Sequence, residues 1–488
     1  MGLFQKLFKH TFIYGLATVL PRMLSFLLTP LFVSVLQTDE YGEVSIIFAW
    51  FAIFNVFLAY GMETAFFRFY NGKEKKEEVV STSLVSILSS TFIFLVLALS
   101  FGGFIAQSLD IDLRYIRFAI YILALDALVI IPFAYLRANE RPIRYAMVKI
   151  INVSINLGLN LFFLLLLPKL AEANPESLLN VIYQPGFEIS YIFLSNLMAS
   201  AVTLLMMAGI YTRQPLRFNR GIWRRMLRYA LPVMIAGIAF TINEVFDRIL
   251  LWELLPEDIA ESEVGKYAAC YKIALFMTLF ATAFRLGIEP FFFSHSSTEN
   301  PQKAYAQITN YFVILGSVIL LTVVVFADLL KRIVVPNSDY WEAMPIVPII
   351  LLASFCLGIY HNLSVWYKVT DRTRFGAFIS MTGAVITILL NVFLIPKIGY
   401  YASALATLAA YGSMMTLSYL LGRKYYPVPY NFRKIVFYLG LSVIFSALSF
   451  YVFNRSLVVG CLFLFVFLAL VYKMEKEVLK RIFLKRAK

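Results

Sequence analysis

The sequence predicts an all-α polytopic membrane protein with about fourteen transmembrane helices. Of its 488 residues 60% are hydrophobic and 15% are charged, which is far from the balance of a water-soluble domain. Apolar runs of roughly 17 to 28 residues follow one another with short gaps, and each is long enough to cross a bilayer as a helix. The gaps alternate between basic and acidic composition, as loops on opposite sides of a membrane do.

Each predicted span begins and ends where charged residues interrupt an apolar run. The loops between the spans are short, so no water-soluble domain fits between them. The predicted spans lie at approximately 11–36, 44–69, 80–106, 113–137, 144–168, 188–211, 226–253, 265–293, 304–328, 342–367, 375–396, 398–421, 435–453 and 456–472.

The distribution of Lys and Arg predicts the orientation of these spans. Roughly 29 of these residues fall on the side that holds the N-terminus and roughly 7 on the other side, and basic loops face the cytoplasm. We therefore expect both termini to be cytoplasmic and the number of spans to be even. The net charge of +14 is explained by this topology and by contact with anionic lipids, so we expect no nucleic acid partner.

A basic link at 213–228 divides the chain after six spans, which indicates two related halves followed by two further helices. The segments Leu36–Ala49 and Glu261–Ala274 support a repeat, because both place acidic residues and a Gly/Tyr pair before a span. Gly2–Lys9 also alternates apolar and basic residues, as interfacial helices do. The predicted regions are lobes at 1–215 and 216–424, helices 13–14 at 425–473, and a basic amphipathic cytoplasmic tail at 474–488.

Polar residues on one face of the first span form the first candidate site. Thr18, Arg22, Ser25 and Thr29 recur at helical spacing, and Arg22 lies after Pro21 and before Pro30. An ionisable group at this depth is costly and is therefore a functional hypothesis. Arg22 either binds an anion on a bending helix or pairs with a carboxylate for packing.

The fifth span carries a second polar face made of Lys149, Asn152, Asn156 and Asn160. A ladder of amides can bind sugar hydroxyls, or it can bond to neighbouring helices. Both interpretations stay open at the level of sequence.

The remaining ionisable residues in the spans are candidates for substrate binding, ion coupling or gating. Glu244 and Arg248, Asn243 and Asp247, and Arg285 and Glu289 are each four residues apart, so each pair shares a helix face. His361 can be structural or can couple to protons. The other candidates are Glu63 and Arg68 in the second span, Asp126 in the fourth and Lys272 in the eighth.

Together these residues predict a polar cavity in which Arg and Lys outnumber carboxylates. Such a cavity favours an anionic ligand, phosphate in particular, whereas an exporter of organic cations needs the opposite charge. The sequence has no P-loop, no metal-ligand spacing and no nucleophile elbow, so we predict neither catalytic residues nor a metal.

The chain resembles the polysaccharide flippases, the Wzx-type or O-antigen exporter family of the MOP superfamily, which is related to MATE exporters and the lipid II flippase. The span count and order match over essentially the whole chain, whereas the local motifs are short and degenerate. They are Pro21–Met23, Leu28–Leu31, Glu40–Glu43, Tyr60–Glu63 with Arg68–Phe69, Asp247–Leu251, Val264–Tyr267 and Tyr271–Ala274.

The resemblance implies a MATE-like fold of two six-helix lobes, and a flippase rather than an enzyme. The cargo would be an undecaprenyl-pyrophosphate-linked oligosaccharide, moved from the cytoplasmic to the outer leaflet by alternating access in lipopolysaccharide O-antigen synthesis. The protein would be a monomer in the bacterial cytoplasmic (inner) membrane, meeting lipids and polysaccharide assembly proteins. It would need no cofactor beyond a proton or sodium as candidate coupling ion. The basic cavity positions would be Arg22, Arg68, Arg248, Lys272 and Arg285, with Arg22 and Arg248 on the pyrophosphate.

Two other functions stay open. A MATE-like antiporter coupled to protons or sodium would need a largely acidic cavity. A membrane enzyme acting on the same lipids would present carboxylates on a sizeable outer loop, and the outer loops here are small.

Overall fold

The structure is a computed structural model that describes residues 19, 23, 26–173, 176, 179–294 and 300–484, without the side chains of 289–290, 293–294 and 477–484. It confirms the all-α fold class, because no strand occurs among the described residues. Arg22 and Gly2–Lys9 lie outside the described residues.

Thirteen described helices are long and apolar enough to cross a membrane. We number them span 2 to span 14 in chain order, because the apolar helix Phe26–Val35 is the described part of predicted span 1. The largest boundary difference is in span 8, which begins at Glu257 rather than near 265. The spans are Thr38–Tyr70, Lys76–Leu109, Leu113–Ala138, Pro142–Ala173, Glu188–Arg213, Arg220–Leu254, Glu257–Ile288, Pro301–Val325, Ser338–Val369, Arg374–Ile398, Tyr400–Tyr425, Phe432–Val452 and Leu457–Lys476.

The chain forms two compact units, residues 1–265 and 266–488. In the first unit span 2 packs on spans 4 and 7, and span 6 packs on spans 4 and 5. In the second unit span 12 packs on spans 10 and 11, and span 9 packs on spans 10 and 13. The division into lobes at 1–215 and 216–424 stays a prediction.

Burial separates helices of the unit cores from helices whose side chains face outward. Span 10 is the most buried of the thirteen, and span 14 is the least buried. Phe104 of span 3 is 70% exposed and Phe465 of span 14 is 71% exposed. Large apolar side chains are stable in such positions only where lipid surrounds them. The helix of span 14 continues as far as Leu484, into the predicted amphipathic tail.

Spans 2 and 4 are interrupted inside the apolar region. Tyr60 and Gly61 have φ angles of 31° and 71°, and a Cβ on Gly61 would overlap the carbonyl of Ala230 in span 7. At position 61 the left-handed conformation is combined with this close approach, and only glycine fits both. Span 4 is interrupted at Val129, just before Pro132. Interrupted helices occur at membrane depth where they line a cavity.

The interruption in span 4 has a specific compensating hydrogen bond. Pro132 has no N–H to donate to the carbonyl of Leu128 four residues earlier. The hydroxyl of Tyr211 in span 6 donates to that carbonyl at 2.6 Å. The freed backbone group is therefore satisfied, and the bend places Asp126, one turn earlier, beside span 6.

Candidate functional site

The first unit encloses a cavity of about 570 Å³ between spans 2, 4, 5, 6 and 7. This volume lies within the range of roughly 300–1,000 Å³ that small-molecule sites occupy. Both interrupted helices line it, span 2 from Asn55 onward and span 4 on both sides of Val129. Its polar lining residues are Asn55, Glu63, Thr64, Asp126, Tyr145, Lys149, Asn152, Asn196, Ser200 and Thr203.

Asp126 and Lys149 bring opposite charges into this cavity from spans 4 and 5. The hydroxyl of Ser200 donates to Oδ1 of Asp126 at 2.8 Å. The ammonium of Lys149 lies 4.3 Å from the ring centroid of Phe133, a cation–π distance. The Lys149 and Asp126 charges act on each other. Sequence spacing places these residues in different spans and does not predict their meeting.

Glu63 lies just after the interruption in span 2 and forms an ion pair with Arg137 at the end of span 4. The Arg137 guanidinium also lies 4.8 Å from the ring centroid of Phe67 and 5.9 Å from that of Tyr145. These contacts hold a planar cation against aromatic faces, an arrangement that Arg adopts more readily than Lys. Glu63 therefore lines the cavity as one half of a paired charge.

The wall formed by spans 5 and 6 is a surface of amides and hydroxyls. The Asn152 side chain donates to the hydroxyl of Thr203 at 2.9 Å, so it bonds a neighbouring helix while it lines the cavity. Asn196 of span 6 adds a further amide to this wall, and Asn55 of span 2 contributes another amide to the same cavity. Amides and hydroxyls both donate and accept hydrogen bonds, as sugar hydroxyls do. With Phe133 and Tyr145 alongside, this wall suits a neutral polyhydroxylated ligand.

The charged residues among the described cavity lining are Glu63, Asp126 and Lys149. Each carboxylate has a basic neighbour, Arg137 and Lys149 respectively. A majority of Arg and Lys in the cavity stays a prediction.

At the opposite end of span 2 from the cavity, its first turns pack on the first turns of span 8. Thr38 Oγ1 and Ser262 Oγ are 2.8 Å apart. A Cβ on Gly42 would overlap the carbonyl of Glu261, and one on Gly265 would overlap the carbonyl of Thr38. The contact is reciprocal, because each glycine meets the carbonyl four residues before the other glycine. Small residues allow such close backbone packing in membranes.

In the second unit, a recess of about 10 Å³ brings basic residues of spans 8 and 10 together. This is about the space that one water molecule needs. Nη1 of Arg285 lies 3.4 Å from Nε2 of His361, and Lys368 lines the same recess. Because a guanidinium only donates, Nε2 of His361 acts as the acceptor in this contact. In the sequence, Lys368 contributes only to the count of basic residues that predicts the orientation of the spans. Its position beside Arg285 is visible only in the structure.

The predicted residues of span 7 lie together near its end. Asp247 is buried, and its Oδ1 is 3.3 Å from Nη1 of Arg248. The same Nη1 donates to the carbonyl of Glu244 at 3.1 Å. Asn243 is buried and donates to the carbonyl of Ala239 at 2.9 Å. Arg248 is thus a compensated cation in this conformation.

The other predicted residues lie at separate places. Arg68 is exposed, with its guanidinium 4.3 Å from the ring centroid of Tyr229. Asn156 accepts a hydrogen bond from Asn160 at 2.7 Å. Lys272 is half-buried in a 3-10 segment of span 8. Arg22 and the side chain of Glu289 lie outside the described part of the structure.

Sequence reasoning placed Glu63, Asp126, Lys149 and Asn152 among its candidates, and all four line the cavity. It missed the uncharged residues that complete the wall, and it missed the pairing of Arg137 with Glu63. An isolated Ser, Thr or Asn in an apolar run has no distinctive spacing. The available signal was the presence of Asn196, Ser200 and Thr203 on one face of span 6.

Comparison with known proteins assigns the chain to a family. The sequence profile of the family described as "Polysaccharide biosynthesis protein" matches residues 7–284, more than half of the chain. No curated protein matched the chain by sequence.

The solved structures that share this fold include a flippase and two structures of MATE family transporters. The chain is similar to the structure titled "Lipid II flippase MurJ, inward closed conformation", with a TM-score of 0.71, 14% identity, and coverage of 95% of this chain and 99% of that one. It is also similar to an inward-facing multidrug resistance MATE family transporter of the MOP superfamily, with a TM-score of 0.62, 13% identity, and coverage of 85% and 94%. The outward-facing MATE structure gives a TM-score of 0.56 at 12% identity, with coverage of 86% and 95%.

Proposed function

Since this chain belongs to the polysaccharide biosynthesis protein family, a MOP-superfamily flippase family, we propose that it flips an undecaprenyl-pyrophosphate-linked oligosaccharide. The movement runs from the cytoplasmic to the outer leaflet of a bacterial inner membrane, with both chain termini in the cytoplasm. The observation that carries the proposal is the membrane-depth cavity of about 570 Å³ with its wall of amides and hydroxyls. Such a wall binds sugar hydroxyls by replacing their hydrogen bonds to water.

The glycan lies against Asn55, Asn152 and Asn196, with the aromatic faces of Phe133 and Tyr145 beside it. The pyrophosphate needs cations, and Arg forks fit phosphate oxygens with two hydrogen bonds. The candidates for this role are Arg22, Arg68, Arg248, Lys272 and Arg285, with Asn156 as a further polar contact. Arg285 has support from its neighbour Lys368, which adds a second positive charge to the same recess, while His361 accepts the hydrogen bond from Arg285.

Alternating access needs a barrier on the outer side when the cavity opens inward. The reciprocal glycine contact between spans 2 and 8 is suited to this, because it seals by backbone packing without side chains to rearrange. It lies at the predicted outer ends of both spans. The lobes at 1–215 and 216–424 would move around it, with helices 13–14 at 425–473 packed outside.

A second candidate function is a cation-coupled small-molecule antiporter. The specific observation in its favour is the carboxylate of Asp126 inside the cavity, in a fold that MATE transporters share. Such a protein would move protons or sodium in response to an organic cation.

The deciding experiment measures transbilayer movement of a fluorescent undecaprenyl-pyrophosphate oligosaccharide in proteoliposomes. We expect wild type to move it and Lys149→Ala and Arg22→Ala to slow it at least about tenfold. Lys169→Ala is the matched control, because Lys169 is an exposed lysine on the same span as Lys149. Absence of lipid movement under proton and sodium gradients, with ion flux driven by a small organic cation, would establish the antiporter instead.

A further inference from the structure

The acid–base pair in the cavity has properties that lipid flipping alone does not require. Asp126 and Lys149 are both half-buried, and both line the cavity from neighbouring helices. An ion pair away from water costs more in desolvation than a neutral pair of similar size. When both charged groups line a cavity, each of them can give up the other and bind an ion that enters the cavity instead.

Asp126 has capacity for such a ligand. A carboxylate offers about four lone-pair positions. Ser200 donates to one oxygen of Asp126 at 2.8 Å, and both residues line the cavity. Carboxylate, hydroxyl and amide oxygens are ligands that a small hard cation accepts.

Lys149 is held less tightly than a lysine in a direct hydrogen-bonded salt bridge. Its ammonium lies 4.3 Å from the Phe133 ring centroid, a contact that leaves N–H donors directed elsewhere. The other titratable groups lining the cavity are Glu63 of span 2, which is paired with Arg137, and Tyr145 of span 5. Two charges act on Lys149, the carboxylate of Asp126 and the guanidinium of Arg137. Because Arg137 is paired with Glu63, Asp126 is the oppositely charged group that acts on Lys149.

We propose that Asp126 is a site for a proton or sodium ion, with Lys149 as its built-in counter-ion. A cation that loads Asp126 releases Lys149 to bind a phosphate or carboxylate of the cargo. The cation and the anion therefore load together, and each tightens the binding of the other by the same factor. The role in transport rests on the proposed function, whereas the exchange of partners does not.

The proposal predicts opposite effects for the two halves of the pair. Lys149→Gln removes the competing cation. Asp126 then binds the proton or sodium ion at a concentration at least about fivefold lower than in wild type. Asp126→Asn mimics the loaded state, so Lys149 binds an anion about fivefold more tightly without added cation. A purely structural pair would lower stability in both variants and would change neither affinity in these directions.

The test uses the purified full chain in detergent micelles, with Na⁺, H⁺ and inorganic pyrophosphate as probes. Sodium binding is followed by the shift in thermal unfolding against choline at constant ionic strength, and proton uptake is followed with an indicator dye. Pyrophosphate binding is measured with and without the cation. A response in the sodium arm identifies sodium, and a response in the proton arm alone identifies the proton.

Arg225→Gln is the matched control, because it also removes a cation from an ion pair, with Glu74 at 2.7 Å, away from the cavity. It leaves both affinities unchanged. Unchanged cation affinity in Lys149→Gln, or unchanged pyrophosphate affinity in Asp126→Asn, overturns the proposal. Partner exchange in a protein that flips no lipid would overturn the flippase function alone, and flipping without partner exchange would overturn the cation site alone.

Discussion

The two ends of span 2 differ in how closely they pack against their neighbours. At its start, Gly42 and Gly265 bring two backbones so close that neither position has room for a Cβ. In its second half, the turn at Tyr60–Gly61 interrupts the helix, and Asn55, Glu63 and Thr64 line a polar cavity. One end has no room for a Cβ, and the other lines a cavity of about 570 Å³.

One helix therefore belongs both to the proposed barrier and to the proposed binding site. The proposed barrier depends on glycines, which have no Cβ, so we expect a substitution that adds a Cβ at either position to separate the two helices. The cavity depends on paired charges and amides, so it tolerates changes in size better than changes in charge. Both features occur in the same conformation. Four predictions test this comparison, from the largest expected effect to the smallest.

The largest effect is expected at the barrier. Gly265→Val places a branched side chain against the carbonyl of Thr38, and we expect a loss of about 3 kcal/mol or more in stability. Lipid movement falls at least about tenfold, because the spans no longer close. Thermal unfolding and proteoliposome assays measure the two effects.

Gly209→Val in span 6 is the control for that substitution. A Cβ on Gly209 meets nothing within 4 Å, so the same change leaves stability and transport close to wild type. Wild-type stability in Gly265→Val would show that the barrier is not built on this glycine.

The next effect is expected in the cavity. Asp126→Lys places two cations side by side, and we expect it to reduce transport at least about tenfold, since an uncompensated buried charge costs about 3–5 kcal/mol. The double variant Asp126→Lys with Lys149→Asp restores opposite charges and recovers part of the rate. Glu74→Lys is the control, since it reverses a charge in the pair with Arg225 outside the cavity. A double variant no better than the single one would contradict a pairwise role.

A smaller effect is expected at the amide wall. Thr203→Val removes the hydroxyl that accepts from Asn152 and costs about 0.5–1.5 kcal/mol, a change of roughly two- to tenfold in half-saturating lipid. Titration of the lipid in the transport assay measures this shift. Thr416→Val is the control, because its hydroxyl bonds only the carbonyl of Gly412 in the hydrogen bonds described for it. Equal shifts in the two variants would remove Thr203 from the binding surface.

The smallest effect is expected at the start of span 4. Hydrogen bonds from Arg114 hold the pKa of Asp112 below its usual range, and Asp112 also accepts from the Arg114 backbone at 2.7 Å. A lowered pKa adds stability above the unfolded-state pKa, and this stability is lost as pH falls through the folded-state pKa. Because the pair is exposed, Asp112→Asn should cost less than about 1 kcal/mol at pH 7.

A pH series of thermal unfolding checks this prediction. The difference between Asp112→Asn and wild type should shrink as pH falls below about 4, the unfolded-state pKa, and vanish once the pH is below the folded-state pKa. Glu257→Gln serves as the control, since Glu257 is an exposed carboxylate at the start of span 8. A stability difference that grows toward low pH would contradict a lowered pKa of Asp112 in the folded state.

Much of the fold could be read from the chain because lipid imposes a simple rule. Every spanning backbone must satisfy its own hydrogen bonds, so apolar length alone marks a helix. The predicted boundaries of span 4, near 113 and 137, agree with Leu113–Ala138 for this reason. The interruption at Val129 was not predicted, although Pro132 was present, because proline permits a bend without requiring one.

Several individual residues of the candidate site could be predicted from the sequence, but their grouping around one cavity could not. Helical spacing put Lys149 and Asn152 on one face and identified Asp126 as costly in its span. It could not show that Asp126 and Lys149 line the same cavity, or that Ser200 donates a hydrogen bond to Asp126, because these residues belong to different spans. Similarly, Leu36–Ala49 and Glu261–Ala274 were predicted as repeats, but their glycines were not predicted to touch.

The sequence by itself determined the all-α membrane fold, the position of nearly every span and the family, since these follow from apolar length, charge between spans and short motifs. The tertiary structure alone decided which polar residues share the 570 Å³ cavity, which charges are paired and which glycines seal the opposite end. The physical reason is that hydropathy is a property of each segment, whereas pairing and enclosure depend on how separate helices pack against one another.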